Sequence, residues 1–307
     1  MIQTASVGKK PVKRRIKDPA GDKVLYGIVH VLMIVLLIVT LYPLIYVISA
    51  SFSSPQAVST GQVVLWPVDF SLRGYQEVFD YKVVWIGYEN TLFYTVVGTL
   101  VNVVMTLCAA FALSKKTLPG RSFFTFLFTF TMLFSAGIVP TYLNLKDLGI
   151  VNTRWALILP GAISVYNMIV TRTFIQNIPN ELSEAAAIDG CSDFKYFTAI
   201  LLPLSKAVIS VISLYYAVSH WNSYFNAMIY LSDRDMFPLQ LFLRDILVMN
   251  TIDASSIMDP EEAQAMEGMR DLLKYAMIVV STVPILMVYP FIQKYFAKGV
   301  MVGSVKG

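Results

Sequence analysis

The sequence predicts an all-α membrane protein with six transmembrane helices and with its amino and carboxyl termini in the cytoplasm. Of the 307 residues, 56% are hydrophobic and only 14% are charged, and the mean hydropathy of +0.62 is far above that of soluble domains. The chain contains six intervals without charged side chains that approach or exceed the roughly 20 apolar residues of a transmembrane helix. Lys and Arg are concentrated in alternate connections between these intervals, as is typical of cytoplasmic loops.

The predicted spans follow the charge-free intervals in order. They cover residues 24–51, 90–114, 122–143, 155–174, 207–231 and 275–293. The first follows a basic tail, residues 1–23, and its apolar run is much longer than the roughly 7 to 15 residues of a signal-peptide core, so we expect an uncleaved anchor. The fourth is free of charge only between Arg154 and Arg172, whose side chains must reach toward the membrane surfaces. Residues 24–307 are therefore predicted to form one transmembrane domain.

The distribution of charge sets the predicted orientation. With the amino terminus inside, 16 of the 24 Lys and Arg residues fall on the cytoplasmic side, as the positive-inside rule requires. The same bias, together with attraction to anionic lipid headgroups, accounts for the net charge of +4. The chain has no soluble segment in which basic and aromatic residues are interleaved, so we expect membrane lipid and no nucleic acid among its partners.

The inner connection between the fourth and fifth spans contains local signals for two short helices. Pro179 and Asn180 stop the incoming chain and offer an N-cap, and Gly190 supplies a permissive C-terminal turn. A second helix is expected to begin at Ser192 and to be interrupted by Pro203 before the fifth span. We therefore expect two short helices at a bend on the cytoplasmic side.

The residues from Glu184 to Pro203 also carry a spaced motif: E-A-A, three residues, G, nine residues, and then I-x-L-P. This motif resembles the cytoplasmic signature loop of the permeases of binding-protein-dependent ABC importers. The matching residues are Glu184, Ala185, Ala186, Gly190, Ile200, Leu202 and Pro203, and Asp189 stands where the carbohydrate-uptake members often have Asp. The resemblance implies that the loop, here about residues 178–203, contains a coupling helix that docks on the ATPase and transmits its motion to the spans.

Two further stretches are similar to the carbohydrate-uptake branch, and in particular to its complex-oligosaccharide subgroup. They are WNSYFN at residues 221–226 and KGVMVGSVKG at residues 298–307. The resemblance implies a multi-pass permease of the bacterial cytoplasmic (inner) membrane that takes up a sugar, with an oligosaccharide as the expected solute. The partners that it implies are a second homologous permease subunit, two ABC ATPase subunits and an extracytoplasmic solute-binding protein.

Sequence motifs of catalysis and of ATP binding are missing from the chain. There is no G-x-x-x-x-G-K-[ST] phosphate loop, so we expect no cofactor in this subunit, and the resemblance implies that ATP and Mg²⁺ are bound by the separate ATPase. There is also no H-E-x-x-H motif, no G-x-S-x-G motif and no pair of carboxylates within a span. We therefore expect a transport subunit rather than an intramembrane enzyme, without catalytic or metal-ligating residues.

Candidate contacts with the solute lie in the fifth span. Sugars are commonly held by aromatic faces and by amide or hydroxyl groups. The candidates are Tyr215, Tyr216, His220, Trp221, Asn222 and Asn226. These residues are spread around the helix, so packing is the alternative for some of them, and an aromatic belt at the membrane surface is the alternative for Trp221.

Two other transport functions remain open from the sequence alone. One is an ABC importer permease for a solute that is not a sugar. The other is a secondary transporter driven by an ion gradient, which normally needs ionisable groups inside the membrane. The cores of the six spans contain no Asp, Glu, Lys or Arg, and His220 is the one clear candidate for a proton relay. This composition favours an external energy source.

Overall fold

The structure, a computed structural model, describes residues 19–249 and 260–304, and within these ranges it consists of helices and their connections without a β-strand. The helices are α1 (Ala20–Ser51), α2 (Pro55–Ser59), α3 (Arg73–Asp80), α4 (Lys82–Ser114), α5 (Arg121–Leu133), α6 (Ile138–Asp147), α7 (Val165–Gln176), α8 (Asn180–Ile188), α9 (Asp193–Tyr196), α10 (Leu202–Leu204), α11 (Lys206–Trp221), α12 (Phe225–Tyr230), α13 (Leu239–Met249) and α14 (Pro260–Ser304). Short 3-10 turns cover Arg154–Leu157 and Arg234–Met236, and a π-helical turn covers Phe197–Leu201.

Three helices are long and apolar enough to cross a membrane as single rods. They are Gly21–Ser51 in α1, Lys82–Ser114, which is the whole of α4, and Met266–Val288 in α14. Two bent pairs meet the same condition when each is taken as one span: α5 with α6, bent by 120°, and Asp193–Leu204 with α11, bent by 81°. The described residues therefore hold three to five candidate spans, and the predicted all-helical class is confirmed.

The predicted spans differ in how closely they follow the helices. The first, second and sixth lie within α1, α4 and α14. The third, residues 122–143, is broken between α5 and α6, where Gly137 has a φ of 88° that favours glycine. The fourth, residues 155–174, is a 3-10 turn, an irregular stretch containing Pro160, and then α7 with 12 residues. The fifth, residues 207–231, is divided between α11 and α12. A total of six spans remains a prediction.

Helix α4 lies at the centre of the fold and contacts α7, α11 and α13. It carries buried polar side chains at Thr91, Asn102 and Thr106, which need hydrogen-bond partners inside an apolar span. The N–H group of Leu239, at the start of α13, donates to Thr91 Oγ1 at 2.8 Å. Hydrogen bonds as well as packing therefore fix α4 to its neighbours.

The first half of α14 packs closely against α2 and α3 at two glycines. At Gly74 in α3, a β-carbon would lie 2.8 Å from Cγ of Leu272, and at Gly268 in α14 it would overlap with the carbonyl group of Pro55. Only glycine allows these helices to approach so closely. The three helices consequently form one packed unit beside the end of α1.

Helices α1 and α5 expose apolar side chains to their surroundings. No residue of the most apolar part of α1 is buried, and α5 has no buried residue at all. In α5 the side chains of Phe123 and Phe126 are 64% and 65% exposed. Such faces are stable against lipid or against another apolar protein surface, but not against water.

Candidate functional site

Helix α8 carries the first half of the E-A-A motif. Of the two residues that were predicted to offer an N-cap, Pro179 occupies the N-cap position, whereas Asn180 is already the first helical residue. No side chain caps α8 in the described structure. Within its first turn, Ser183 Oγ donates a hydrogen bond to the carbonyl group of Asn180 at 2.9 Å. The fixed φ of proline, −54° here, holds the chain at the entry and places Asn180 inside the first turn.

The end of α8 is closed by the predicted glycine turn. Gly190 has a φ of 71°, in the left-handed region. Its N–H group donates to the carbonyl group of Ala187 at 3.1 Å, and the N–H group of Cys191 donates to that of Ala186 at 2.8 Å. This pair of bonds is a Schellman motif, in which a residue other than glycine is strained.

The motif residues of α8 divide into one anchor and an exposed face. Ala186 is buried and packs with Tyr196 and Leu201. The exposed members are Glu184, Ala185, Asp189 and Gly190. Large apolar side chains are exposed next to them, with Ile188 at 86% and Phe194 at 77%. Most of the motif is therefore accessible to another protein.

An ion pair ties this segment to the end of α4. Lys115 Nζ lies 2.7 Å from Asp193 Oδ1, and it also lies 5.0 Å and 5.3 Å from the ring centroids of Phe111 and Tyr196. A groove of about 740 Å³ opens beside the pair, between α4 and α8. Sequence reasoning missed Lys115 as a member of this site. The feature that could have suggested it is its position as the first basic residue after the second predicted span.

The second half of the motif forms the bend into α11. A π-helical turn over Phe197–Leu201 leads to Pro203, which lies in the first turn of α10, where its missing N–H group costs little. The helix axis then changes direction by 81° at the buried residue Ser205. The break thus lies two residues beyond the predicted interruption at Pro203.

A cavity of about 510 Å³ lies between α4, the start of α7 and α11. Its polar lining residues are Asn102, Ser164, Tyr166, Asn167, Tyr215, Tyr216, Ser219, His220, Ser223 and Asn226, and the remaining lining residues are apolar. The cavity has the size of a small-molecule site. Among the described residues that line it there is no Asp, Glu, Lys or Arg, and nowhere in the described ranges do three His, Cys, Asp or Glu side chains form a possible metal site.

Four of the six predicted pathway residues line this cavity: Tyr215, Tyr216, His220 and Asn226. The other two lie outside its wall. Trp221 is buried, and its Nε1–H group donates to the carbonyl group of Ser281 at 2.9 Å, so it joins α11 to α14. Asn222 is exposed, and its amide donates to the carbonyl group of Val218 one turn earlier at 2.9 Å.

His220 is held by a short chain of hydrogen bonds. The side-chain amide of Asn102 donates to the carbonyl group of Gly161, so its Oδ1 faces His220 Nε2 at 2.9 Å. Because Oδ1 can only accept, Nε2 carries the proton and Nδ1 of the neutral ring is an acceptor. Gly98 makes room for the ring, since a β-carbon there would lie 2.5 Å from Nε2.

Tyr216 is a structural part of the cavity wall. Its hydroxyl group accepts a hydrogen bond from the N–H group of Ser164 at 2.9 Å and shares another with Thr106 Oγ1 at 2.7 Å. These bonds connect the start of α7, α4 and α11. They leave the hydroxyl group little capacity for a further ligand.

Sequence reasoning missed six polar groups of the cavity wall. Asn102, Ser164, Tyr166 and Asn167 face the fifth span across the cavity, whereas Ser219 and Ser223 belong to that span itself. The available signal was an amide within an apolar interval, as at Asn102 in the second predicted span and Asn167 in the fourth. Such amides need a partner, and the sequence does not say which.

The family of this chain follows from a match that extends along nearly all of its sequence. Residues 15–302 match the model of a family described as the binding-protein-dependent transport system inner membrane component. The chain belongs to this family. As a member of the binding-protein-dependent transport family, it is a permease subunit of an ABC transporter, acts in a complex with other subunits, and is a transport protein rather than an enzyme.

Curated members of the binding-protein-dependent transport family match nearly the full chain. It is 41% identical to the polygalacturonan/rhamnogalacturonan transport system permease protein YtcP of Bacillus subtilis (strain 168), over 95% of this chain and 100% of that protein. It is 42% identical to protein LplC of the same organism, over 88% of this chain and 90% of that protein.

A solved structure agrees with the fold. The structure is that of a bacterial ABC transporter involved in the import of the acidic polysaccharide alginate. One of its chains superimposes with a TM-score of 0.82 at 35% sequence identity, and the match covers 92% of the present chain and 100% of that chain.

Proposed function

We propose that this chain is one of two related permease subunits of an ABC importer that takes up an oligosaccharide delivered by an extracytoplasmic solute-binding protein. The observation that carries the proposal is the 41% identity to a polygalacturonan/rhamnogalacturonan permease along 95% of the chain. The likeness to a chain of an alginate importer points to the same class of solute.

The proposed topology has six spans with both termini in the cytoplasm. Three single helices and two bent pairs provide five of them. The sixth would combine the 3-10 turn Arg154–Leu157 with α7, which together with the stretch between them occupy residues 154–176. The excess of Lys and Arg in the predicted inner connections supports this orientation. It places α8 and the groove beside it on the cytoplasmic side.

Helix α8 is proposed to dock on one of two ABC ATPase subunits, which bind ATP and Mg²⁺. The face that it offers combines the carboxylates of Glu184 and Asp189 with the exposed apolar side chain of Ile188. Movement of this face would reach α4 through Ala186 and the Lys115–Asp193 pair, and α11 through the bend after Pro203. The ATPase can drive transport only if it binds α8 more tightly in one state of the permease than in the other.

The second permease subunit is proposed to cover part of the apolar surface of α1 and α5, with membrane lipid covering the rest. Both helices lack buried side chains where they are most apolar. The cavity between α4, α7 and α11 would then form this chain's share of the solute pathway, with Tyr215 and Asn226 on its exposed side.

Reconstitution tests the proposed function directly. The chain is assembled with its partner permease, ATPase and binding protein in proteoliposomes, and uptake of labelled galacturonan, rhamnogalacturonan and neutral arabino-oligosaccharides is measured. We expect ATP-dependent uptake of at least one of them, and no uptake with an ATPase that binds but cannot hydrolyse ATP. Uptake driven by a proton or sodium gradient without ATP would support a secondary transporter instead, and ATP-dependent uptake confined to solutes other than sugars would refute the assignment to oligosaccharides.

A further inference from the structure

Two polar groups in the cavity wall have no hydrogen-bond partner among the described residues. Asn167 lines the cavity and is only 5% exposed, yet its recorded bonds involve only its backbone, with Ser164 Oγ and Thr171 Oγ1. The second group is Nδ1 of His220, because the bond to Asn102 uses Nε2. Leaving such groups unsatisfied is unfavourable, so water or a ligand is expected to fill these positions in the working protein.

We propose that this cavity is a saccharide subsite that binds an uncharged, hydroxyl-bearing sugar ring. Asn167 would donate to one ring hydroxyl and accept from another, and Nδ1 of His220 would accept from a third. Tyr166 lines the same cavity and is 56% exposed, which offers an aromatic face to the ring. The proposal rests on the proposed function, since it concerns the path of the same solute.

The chemistry of the lining selects the class of ligand. An amide donates and accepts at once, as a sugar hydroxyl does, so the two are matched. A carboxylate or phosphate entering the cavity would lose its water without meeting a cation, because the described lining residues include no Lys or Arg. An acidic oligosaccharide must therefore keep its carboxylates away from this subsite and present an uncharged face to Asn167.

The other polar groups of the wall hold the subsite in shape. Asn102 and Gly98 fix the ring of His220, and Tyr216 joins the start of α7 to α4 and α11. Asn102 and Tyr216 are positioning residues, because their bonding capacity is used within the protein, and Gly98 acts only by leaving room for the ring. A site that is ordered before the ligand arrives loses less entropy on binding.

The experiment replaces Asn167 in the assembled importer and measures three quantities: uptake of the oligosaccharide that the wild-type proteoliposomes accept, ATP hydrolysis stimulated by the binding protein, and the melting temperature. For Asn167→Leu we expect at least a tenfold rise in KM for uptake, stimulated hydrolysis within twofold of wild type, and an unchanged or higher melting temperature. A lower melting temperature is not expected, because the amide makes no bond that the substitution removes. Thr173→Val, which changes an exposed polar residue of the same helix, is the matched control and should behave as wild type.

Asn167→Asp tests the class of ligand. In a cavity without a cation the Asp side chain favours its neutral form, which still donates to and accepts from sugar hydroxyls. Uptake should therefore return to within about threefold of wild type; this is about 0.7 kcal/mol at 1.4 kcal/mol per tenfold. If the Asp variant keeps the wild-type melting temperature but is impaired more than the Leu variant, the ligand carries a negative group at this point and the uncharged assignment is wrong. If Asn167→Leu transports like wild type, or loses melting temperature without a change in KM, the subsite is refuted while the proposed function stands. Failure of the wild-type complex to transport any of the oligosaccharides would refute the proposed function itself.

Discussion

Lys115 and Asp193, 78 positions apart, meet at 2.7 Å and join the end of α4 to the segment that carries the E-A-A motif. The side chain of Asp193 is 77% exposed, so water screens the pair and its contribution to stability is small, about 0.2 to 1 kcal/mol. We infer that the ion pair serves to connect the end of α4 with the segment that carries the E-A-A motif. A contact that contributes little to stability can still determine whether two elements move together.

Lys115→Met should therefore weaken coupling more than stability. We expect uptake and binding-protein-stimulated ATP hydrolysis by the reconstituted importer to fall severalfold, and the melting temperature to change little. Lys116→Met, next in the chain, is the control and should be close to wild type. The exchange Lys115→Asp with Asp193→Lys should recover part of the activity; if each single variant already has full activity, the pair has no role in coupling.

Glu184→Lys reverses a charge on the exposed face of α8. Because Glu184 is exposed and makes no hydrogen bond or ion pair among the described residues, the fold should keep its stability, whereas docking on the ATPase should be impaired. We expect uptake and stimulated hydrolysis to fall at least tenfold while the ATPase keeps its basal activity. Glu184→Gln should have an intermediate effect. Wild-type uptake by the Lys variant would contradict the assignment of α8 as the coupling helix.

Substitutions of Gly190 test the turn that ends α8. Any side chain other than Gly or Asn is strained at its φ of 71°, at a cost of about 1 to 2 kcal/mol per residue in the left-handed region. Gly190→Ala should therefore lower stimulated hydrolysis and uptake by misdirecting α8, and Gly190→Asn should be tolerated. Equal activities for the two variants would show that the backbone conformation at this point is not critical. The readout is the ratio of stimulated to basal ATP hydrolysis.

Trp221 should matter for stability rather than for solute affinity. It is buried and donates from Nε1 to the carbonyl group of Ser281. Trp221→Ala should cost about 3 to 5 kcal/mol and Trp221→Phe much less, mainly one hydrogen bond of about 1 kcal/mol. Thermal unfolding of the purified complex measures the first effect, and KM for uptake should be unchanged in the Phe variant. A large rise in KM without loss of stability would show instead that Trp221 contacts the solute.

Gly98→Ala should disturb the cavity from outside it. The new β-carbon would lie 2.5 Å from His220 Nε2, so the ring must move and its bond to Asn102 is lost. Overpacking of this kind costs about 1 to 3 kcal/mol. Gly27→Ala in α1, where nothing lies within 4 Å of the added carbon, is the control and should leave the melting temperature unchanged. If both variants melt alike, the ring of His220 is free to move.

The sequence predicted those parts of the structure that depend on local composition. The helices α1, α4 and α14 follow uninterrupted apolar intervals, and Gly190 ends α8 because its conformation is a local requirement. The interruption before the fifth span was predicted at Pro203, two residues before the observed bend at Ser205. The broken fourth interval was not predicted, because apolarity measures transfer into lipid and says little about where a helix axis turns. Asn102 and His220 are 118 positions apart, so the sequence alone does not show that they are hydrogen-bond partners.

The 81° bend at Ser205 also provides a point about which α11 could rotate as a rigid rod. Helix α11 has 16 residues and is therefore about 24 Å long at 1.5 Å per residue. If it rocked as a rigid lever by about 5° about Ser205, the far end that carries His220 would be displaced by about 2 Å, enough to break a hydrogen bond, whose N···O distance is limited to about 3.2 Å. A small displacement at one surface of the protein would in this way change which groups can reach each other at the other end of the helix.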